Sequence, residues 1–409
     1  MLHRIWLSFI VAAFLATLWQ VLFSGELNAF ANTMEAITAM AKLSVEIAIG
    51  LIGLLAFWLG IFKVAEHSGL IAKVSKILEP LLCRLMPDIP RGHPAFGSIT
   101  MNMSANVLGL DNAATPFGIK AMQDMQSLAS DKITLTNSQI LFLVLNTSSV
   151  TLFPIAVFLY RAEQGAMHPT DVFIPILLAT SASTLVGLFV TCAVQRVNLF
   201  NRVVLLYLLG IFSLLTAIIL YFSKLASTQL AEQSSLVANF ALLSFVVTVL
   251  IAGWRKGQNT YELFVEGAKK GFDVAIMIIP YLLAMLFAIG MLRASGVLNY
   301  ASDAIAAGVA LLGFDTRFVD AIPTALMKPL SGSGARALMI ETMQFYGADS
   351  FAGRLASVMQ GSTETTFYVL AVYLGAVGIK HSRYAVGCCL MADFAGIFTA
   401  IAVCYWFFG

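Results

Sequence analysis

Charge is scarce in this chain. Asp, Glu, Lys and Arg make up 11% of its 409 residues, and 24 basic against 22 acidic side chains leave a formal net charge of +2. A balance so near neutral offers none of the basic footprint a nucleic-acid partner needs. Cysteine is scarce too: Cys83, Cys192, Cys388, Cys389 and Cys404 show no paired spacing and no zinc or iron–sulfur pattern. Most of them lie in apolar segments, where a thiol packs as a small hydrophobe. None of the 5 histidines sits in a polar motif. With no nucleophile–base pair and no metal-ligand cluster either, neither an enzyme nor a cofactor is expected. The GxxxxGK[ST] loop is missing, so direct coupling to ATP has no support in the sequence.

What is present is apolar. Ala, Val, Ile, Leu, Met, Phe, Trp, Tyr and Cys supply 59% of the residues, and the mean hydropathy is +0.87. Runs of about twenty apolar residues recur, the length a helix needs to cross a bilayer. The reading is an all-α polytopic membrane protein, with spans at 4–24, 43–63, 137–160, 173–195, 202–222, 235–253, 272–293, 354–376 and 384–408. Two stretches, 94–126 and 318–346, are broken by Gly, Pro and polar residues and read as re-entrant hairpins. Leu70 to Leu85, with Lys73, Lys76 and Arg84, is amphipathic and suits the interface. Ala29-Phe30-Ala31 mimics a signal-peptidase site, but the apolar run before it is long for a cleaved signal, so it reads as a first span.

Lys and Arg orient the loops. Lys63 to Lys132 form one basic region. Arg196 with Arg202, Arg255 with Lys256, and Lys380 with Arg383 fall on the same side if nine spans are right. That side should be cytoplasmic, which puts the N-terminus inside.

The chain also resembles itself. Ala41 to Ile49 aligns with Ala268 to Ile276 at an offset of 227, which brings Ser68-Gly69 onto Ser295-Gly296. NTSSVTLFPIAVFLY (146–160) aligns with GSTETTFYVLAVYLG (361–375) at an offset of 215. LDNAATP (110–116) faces LSGSGAR (330–336), and LLATSAST (177–184) faces CLMADFAG (389–396), setting Ser181 against Asp393. The first aligned spans, 43–63 and 272–293, are an odd number of spans apart. The halves should therefore be two inverted repeats, an architecture of secondary transporters.

In such folds matching polar breaks point to the substrate. Here those breaks are Asn146, Thr147, Ser148 and Ser149 in one half, and Gln360, Ser362, Thr363, Glu364, Thr365 and Thr366 in the other. An ionisable group at bilayer centre costs about 2.5–3.5 kcal/mol even on a lenient scale, which marks Glu364 and Asp393 as candidates for function. Asp111, Asn112 and Thr115 at one hairpin, and Ser331 and Ser333 at the other, are further binding candidates, although turn chemistry alone favours such residues. Arg336 is placed either to meet an anionic solute or to neutralise Glu341 or Glu364.

NVLGLDNAATPFGIKAMQDM (106–125) with NTSS resembles spore maturation protein A. PLSGSGARALMIE (329–341) and GRLASVMQGSTETTFYVLAVYLGAVGIKHSRYAV (353–386) resemble spore maturation protein B. The chain thus looks like a fusion of these two families, whose halves share the so-called nucleoside recognition or Gate domain. The resemblance implies an N-terminal span (1–33), a first Gate-type repeat (34–200), linking spans (201–258) and a second Gate-type repeat (259–409). It implies the elevator-type architecture of concentrative nucleoside transporters, in the bacterial inner membrane. The expected function is secondary transport of a small polar organic solute by alternating access, with Na+ or H+ as candidate coupling ions and the bilayer as surroundings. Homo-oligomerisation through the scaffold spans follows by analogy. The other readings are a non-transporting membrane component of an envelope or spore maturation assembly, and a gated channel.

Overall fold

The structure is a computed structural model. It describes residues 2–109 and 111–409, with backbone alone for residues 2 and 111–113. Among the described residues everything regular is helical, and one isolated bridge joins Thr134 to His381. The first half runs α1 (Leu2–Phe23), α2 (Ala29–Ser68), α3 (Leu70–Leu85), the pair α4 (Pro94–Val107) and α5 (Asp111–Leu128), α6 (Asn137–Thr147), α7 (Ile155–Glu163) and α8 (Phe173–Gln195). α9 (Arg202–Phe222) and α10 (Ser227–Arg255) link the halves. The second half repeats the order with α11 (Thr260–Ala294), α12 (Val297–Leu311), a single 3-10 turn leading into α13 (Ile322–Met327), α14 (Gly332–Tyr346), α15 (Phe351–Gly361), α16 (Thr366–Val377) and α17 (Ala385–Phe408).

Seven of these helices are long and apolar enough to cross a membrane: α1, α2, α8, α9, α10, α11 and α17. The chain is a multi-pass membrane protein. Two of the nine expected spans are interrupted at the polar breaks marked in the sequence. Segments 137–160 and 354–376 are each two short helices, α6 with α7 and α15 with α16. α2 and α11 also outrun the expected 43–63 and 272–293. At 40 and 35 residues they are about 60 and 52 Å long, against a hydrocarbon core of about 30 Å.

The repeat is visible in backbone detail. Gly69 and Gly296, repeat-mates, both adopt left-handed backbone (φ 78° and 75°) between a long helix and a shorter one. Glycine suits that conformation because it has no Cβ to clash. The serines before them each donate back into the helix just ended, Ser68 Oγ to the Ala65 carbonyl at 2.7 Å and Ser295 Oγ to the Leu292 carbonyl at 3.2 Å.

The helices pack as two compact units. One comprises Met1–Leu59, Ala156–Met167 and Ala268–Gln360; the other comprises Gly60–Ile155, His168–Gly267 and Gly361–Gly409. In the first, Ala13, Met291 and Leu292 form a small core. A Cβ on Gly271 would run into the Ala56 backbone, so α2 and α11 touch there main chain to main chain. In the second, a larger core is built from α3, α4, α5, α6, α8, α9, α16 and α17, with Phe96, Ile99, Phe142 and the free thiols of Cys192, Cys388 and Cys389 inside. α8 and α17 approach closely through small residues. The Ser183 hydroxyl donates to the Ala392 carbonyl at 2.8 Å, and a Cβ on Gly187 would lie 3.1 Å from that of Ala392. α3 is amphipathic as expected, burying Ile71, Leu82 and Leu85 while exposing Lys73, Lys76 and Arg84.

Candidate binding site at two broken helices

α6 ends because its own side chains compete for its carbonyls. Asn146 Nδ2 donates to the Phe142 carbonyl at 2.8 Å. The Thr147 and Ser148 hydroxyls both donate to the Val144 carbonyl, at 3.0 and 2.7 Å. Such local bonds weaken a helical ladder, and Pro154 then bars Phe153 from helical backbone before α7 begins. α15 stops at Gly361, where Ile176 fills the space a Cβ would need (2.9 Å). α16 restarts at Thr366, and its N-cap Thr365 makes no side-chain capping bond.

The two breaks meet. The Glu364 amide donates to the Thr147 carbonyl at 2.8 Å, so an orphan acceptor at the end of α6 is satisfied by the break in the other repeat. The Thr184 hydroxyl of α8 donates to the Ser148 carbonyl. From α17, Gly396 leaves room for the Thr363 methyl, 2.9 Å from where a Cβ would stand. The Thr366 hydroxyl donates to Asp393 Oδ2 at 2.7 Å, and Asp393 is only 2% exposed. α4 completes the setting. Asn106 Nδ2 donates to Asn146 Oδ1 at 2.9 Å. The Tyr373 hydroxyl donates to the same oxygen at 3.5 Å and accepts from Asn102 Nδ2 at 3.4 Å. A Cβ on Gly118 would collide with that hydroxyl, so α5 admits α16 only because position 118 is glycine.

Around this crossing some polar groups remain unspent. Ser149 Oγ, Thr363 Oγ1 and Asn102 Oδ1 are buried with no hydrogen-bond partner among the described residues. The Glu364 side chain is half-buried and forms no hydrogen bond or ion pair among the described residues. Buried polar atoms are normally satisfied, so a cluster of exceptions calls for an explanation. The carboxylate also stands just before the first turn of α16, where the helix dipole favours negative charge. The arrangement has the chemistry to hold a small cation between carboxylate and hydroxyl oxygens, or a polar solute between hydroxyls and uncapped amides.

Of the residues singled out in the sequence, Asn146, Thr147, Ser148, Ser149, Ser362, Thr363, Glu364, Thr365, Thr366 and Asp393 all lie in the second unit, in or beside this crossing. Thr115 is half-buried in the first turn of α5, next to Ala114, whose carbonyl accepts from Asn102 at 2.7 Å. Asp111 and Asn112 begin α5, and their side chains lie outside the described residues. Ser331, Ser333 and Gln360 belong to the other unit. Ser331 acts there as the N-cap of α14, its oxygen accepting from the Gly334 amide at 3.1 Å. Arg336 does not neutralise Glu341, which is held by Arg293 through two bonds of 2.6 and 2.9 Å. Arg336 instead lies over the Tyr160 ring, 5.3 Å from its centroid.

Three side chains of the crossing escaped the sequence reading. Asn102 and Asn106 lie one turn apart on α4, a spacing that could have been noticed, and Tyr373 looks like any span aromatic. In the first unit Arg161 was missed as well. It is fully buried, with Nη1 on the Ala348 carbonyl at 2.8 Å and Nη2 on Asp349 Oδ1 at 3.2 Å.

Comparison with known proteins places these features in context. A family model described as Gate, nucleoside recognition, matches residues 48–167 and 275–380. Spore maturation protein B of Bacillus subtilis (strain 168) is 42% identical over 172 residues, 42% of this chain and 95% of that protein. Spore maturation protein A of the same organism is 45% identical over 149 residues, 36% of this chain and 76% of that protein.

Proposed function

The chain belongs to the Gate, or nucleoside recognition, family, and from that premise we propose that it is a secondary transporter of a small polar organic solute in the bacterial inner membrane. One observation carries the reading. At the meeting of two broken helices a half-buried carboxylate, Glu364, has no side-chain partner, and the buried hydroxyls of Ser149 and Thr363 have none either. A purely structural polar cluster would use those groups on one another, because an unsatisfied buried polar atom costs about 1–3 kcal/mol. A solute or a coupling cation, Na+ or H+, would supply the missing partner. In this reading the two repeats are inverted and the broken helices and hairpins move against the scaffold helices α1, α9 and α10 in an elevator-like cycle. The N-terminus is cytoplasmic, the chain works as a homo-oligomer, and the solute leaves chemically unchanged.

The test is a thermal-shift screen of the purified protein in detergent. It is run with and without sodium and at two pH values, against nucleosides, amino acids, dipeptides, dicarboxylates and sugar acids. The expected result is stabilisation by one class, lost in Glu364→Gln. A folded protein that responds to none of them, and is unchanged by Glu364→Gln, sinks the proposal. A second reading draws on the printed names of the two Bacillus relatives: a membrane component of an envelope or spore maturation assembly that moves no solute. It requires that Glu364→Gln and Asn146→Ala leave function intact while changes in the loops abolish it.

A further inference from the structure

A cavity of about 520 Å3 opens at one end of the second unit, away from the crossing of the broken helices. It lies where α3 and α8 end and where α6 and α9 begin. Because α8 and α9 are both span-length helices, their shared end lies at the membrane boundary. Three guanidiniums line the cavity, Arg84, Arg91 and Arg196, against one carboxylate, Asp88. Among the described residues none of the three is ion-paired. Like charges gathered on one wall repel unless an anion sits among them.

Three carboxamides of the lining have the same polarity. Asn137 Oδ1 is taken by Arg383 Nη1 and by the Tyr384 hydroxyl, both at 3.0 Å. Asn198 Oδ1 accepts from the Phe200 amide at 2.9 Å, and Asn201 Oδ1 from the Val203 amide at 3.0 Å. These three carboxamides have spent an acceptor on the protein and offer the cavity a donor NH2 group, whereas Gln195, whose Nε2 donates to the Asn137 carbonyl at 2.8 Å, presents its Oε1. Ser138 adds a hydroxyl that is 3% exposed and has no partner among the described residues. The walls also include the first residues of α6 and the N-cap of α9, where helix dipoles are positive. Charge reaches across the lining as well. Burial and Glu79 push the Cys83 thiol up, while the Arg91 and Arg84 guanidiniums pull it down.

We propose that this cavity is a binding site for a phosphate anion at the membrane surface. Three guanidiniums and the amide donors outnumber the acceptors of Asp88 and Gln195, a balance that suits a tetrahedral oxyanion, and guanidinium pairs with phosphate through parallel charge-assisted bonds. Two sources carry that group to this depth: the headgroup of an anionic phospholipid, and free phosphate in the adjoining water.

The full-length protein in nonionic detergent tests the proposal in two arms. Phosphatidylglycerol is titrated in mixed micelles against phosphatidylcholine, and inorganic phosphate against chloride at constant ionic strength, with melting temperature as readout. The variants are Arg84→Gln/Arg91→Gln/Arg196→Asn and, separately, Ser138→Ala. Asparagine is chosen at 196 because the residue holds left-handed backbone (φ 56°), which asparagine tolerates. The expected outcome is a concentration-dependent rise in melting temperature whose half-point moves up about tenfold or more in the triple variant. A smaller move in the same direction is expected for Ser138→Ala, which serves alone if the triple variant does not fold. A response to phosphatidylglycerol only identifies the headgroup, and a response to both probes or to phosphate only identifies a free-phosphate site. No rise beyond the controls in either arm, or half-points that the variants leave unchanged, overturns the proposal.

Discussion

Residues 146–151 and 361–366 occupy equivalent places in the two repeats, yet they use their side chains differently. In the first break Asn146, Thr147 and Ser148 bond their own helix, over seven unwound residues, and no charge is present. The second break is four residues long and carries Glu364, and Asp393 stands behind it where the first repeat has Ser181. At one repeat position both halves agree: Ser149 and Glu364 are mates, and both side chains are left without a partner. Duplication has kept the scaffold, and the charge sits on one side only. The proposed recognition at the crossing would then pair a carboxylate from one repeat with a hydroxyl from the other.

The largest effect should come from making the halves alike. Ser149→Glu places a second carboxylate opposite Glu364 in a segment with no compensating base. Insertion of a charged group at such depth costs about 2.5–3.5 kcal/mol, and like charge adds to it. Unfolding in a denaturing detergent should show a loss of that size, and the double variant Ser149→Glu/Glu364→Ser should recover most of it. A Ser149→Glu protein as stable as the parent would mean that position 149 is wetter or farther from Glu364 than the Glu364–Thr147 hydrogen bond implies.

Next comes the group behind the charged break. Thr366→Val withdraws a donor from a carboxylate that is 2% exposed, and bonds to charged groups are worth about 1.5–3 kcal/mol. Ser181→Ala, at the mate of Asp393, should cost less than about 1 kcal/mol, since a neutral hydroxyl is removed. Equal costs would erase the contrast between the halves.

Much of this contrast was legible beforehand. The repeated order of elements and both helix breaks follow from hydropathy interrupted by Gly, Ser, Thr and Pro, because an apolar segment makes every polar residue conspicuous. What stayed hidden are partnerships. Periodicity assigns a residue to a face and says nothing of what meets it, so Asn102 and Asn106, in the stretch 94–126, could not be joined to Tyr373 in the expected span 354–376. Arg161 sits just past an expected span, and nothing in the sequence shows that it is fully buried on Ala348 and Asp349. For the same reason Glu341 could not be matched to Arg293, which is 48 residues earlier in the chain.

Tyr373 offers a finer probe, because its repeat-mate is Phe158. Tyr373→Phe removes the hydroxyl between Asn102 and Asn146 and makes the two positions identical. The bonds are long, 3.4 and 3.5 Å, so a loss of about 0.5–1.5 kcal/mol is expected in the same unfolding assay. A cost well above that range would show the hydroxyl to be a structural keystone of the crossing.

The smallest change in stability should be the most telling. Ser149→Ala deletes a buried hydroxyl that no described residue uses. An unsatisfied polar atom is a burden on the fold, so its removal should leave stability unchanged or raise it by up to about 1 kcal/mol. If that hydroxyl serves a solute or a coupling ion, the same variant must weaken the ligand-dependent thermal shift. Stability and binding then move in opposite directions, which no packing role for Ser149 can produce. Lower stability with an unchanged ligand response would assign Ser149 to the fold and leave Glu364 to act at the crossing without its mate.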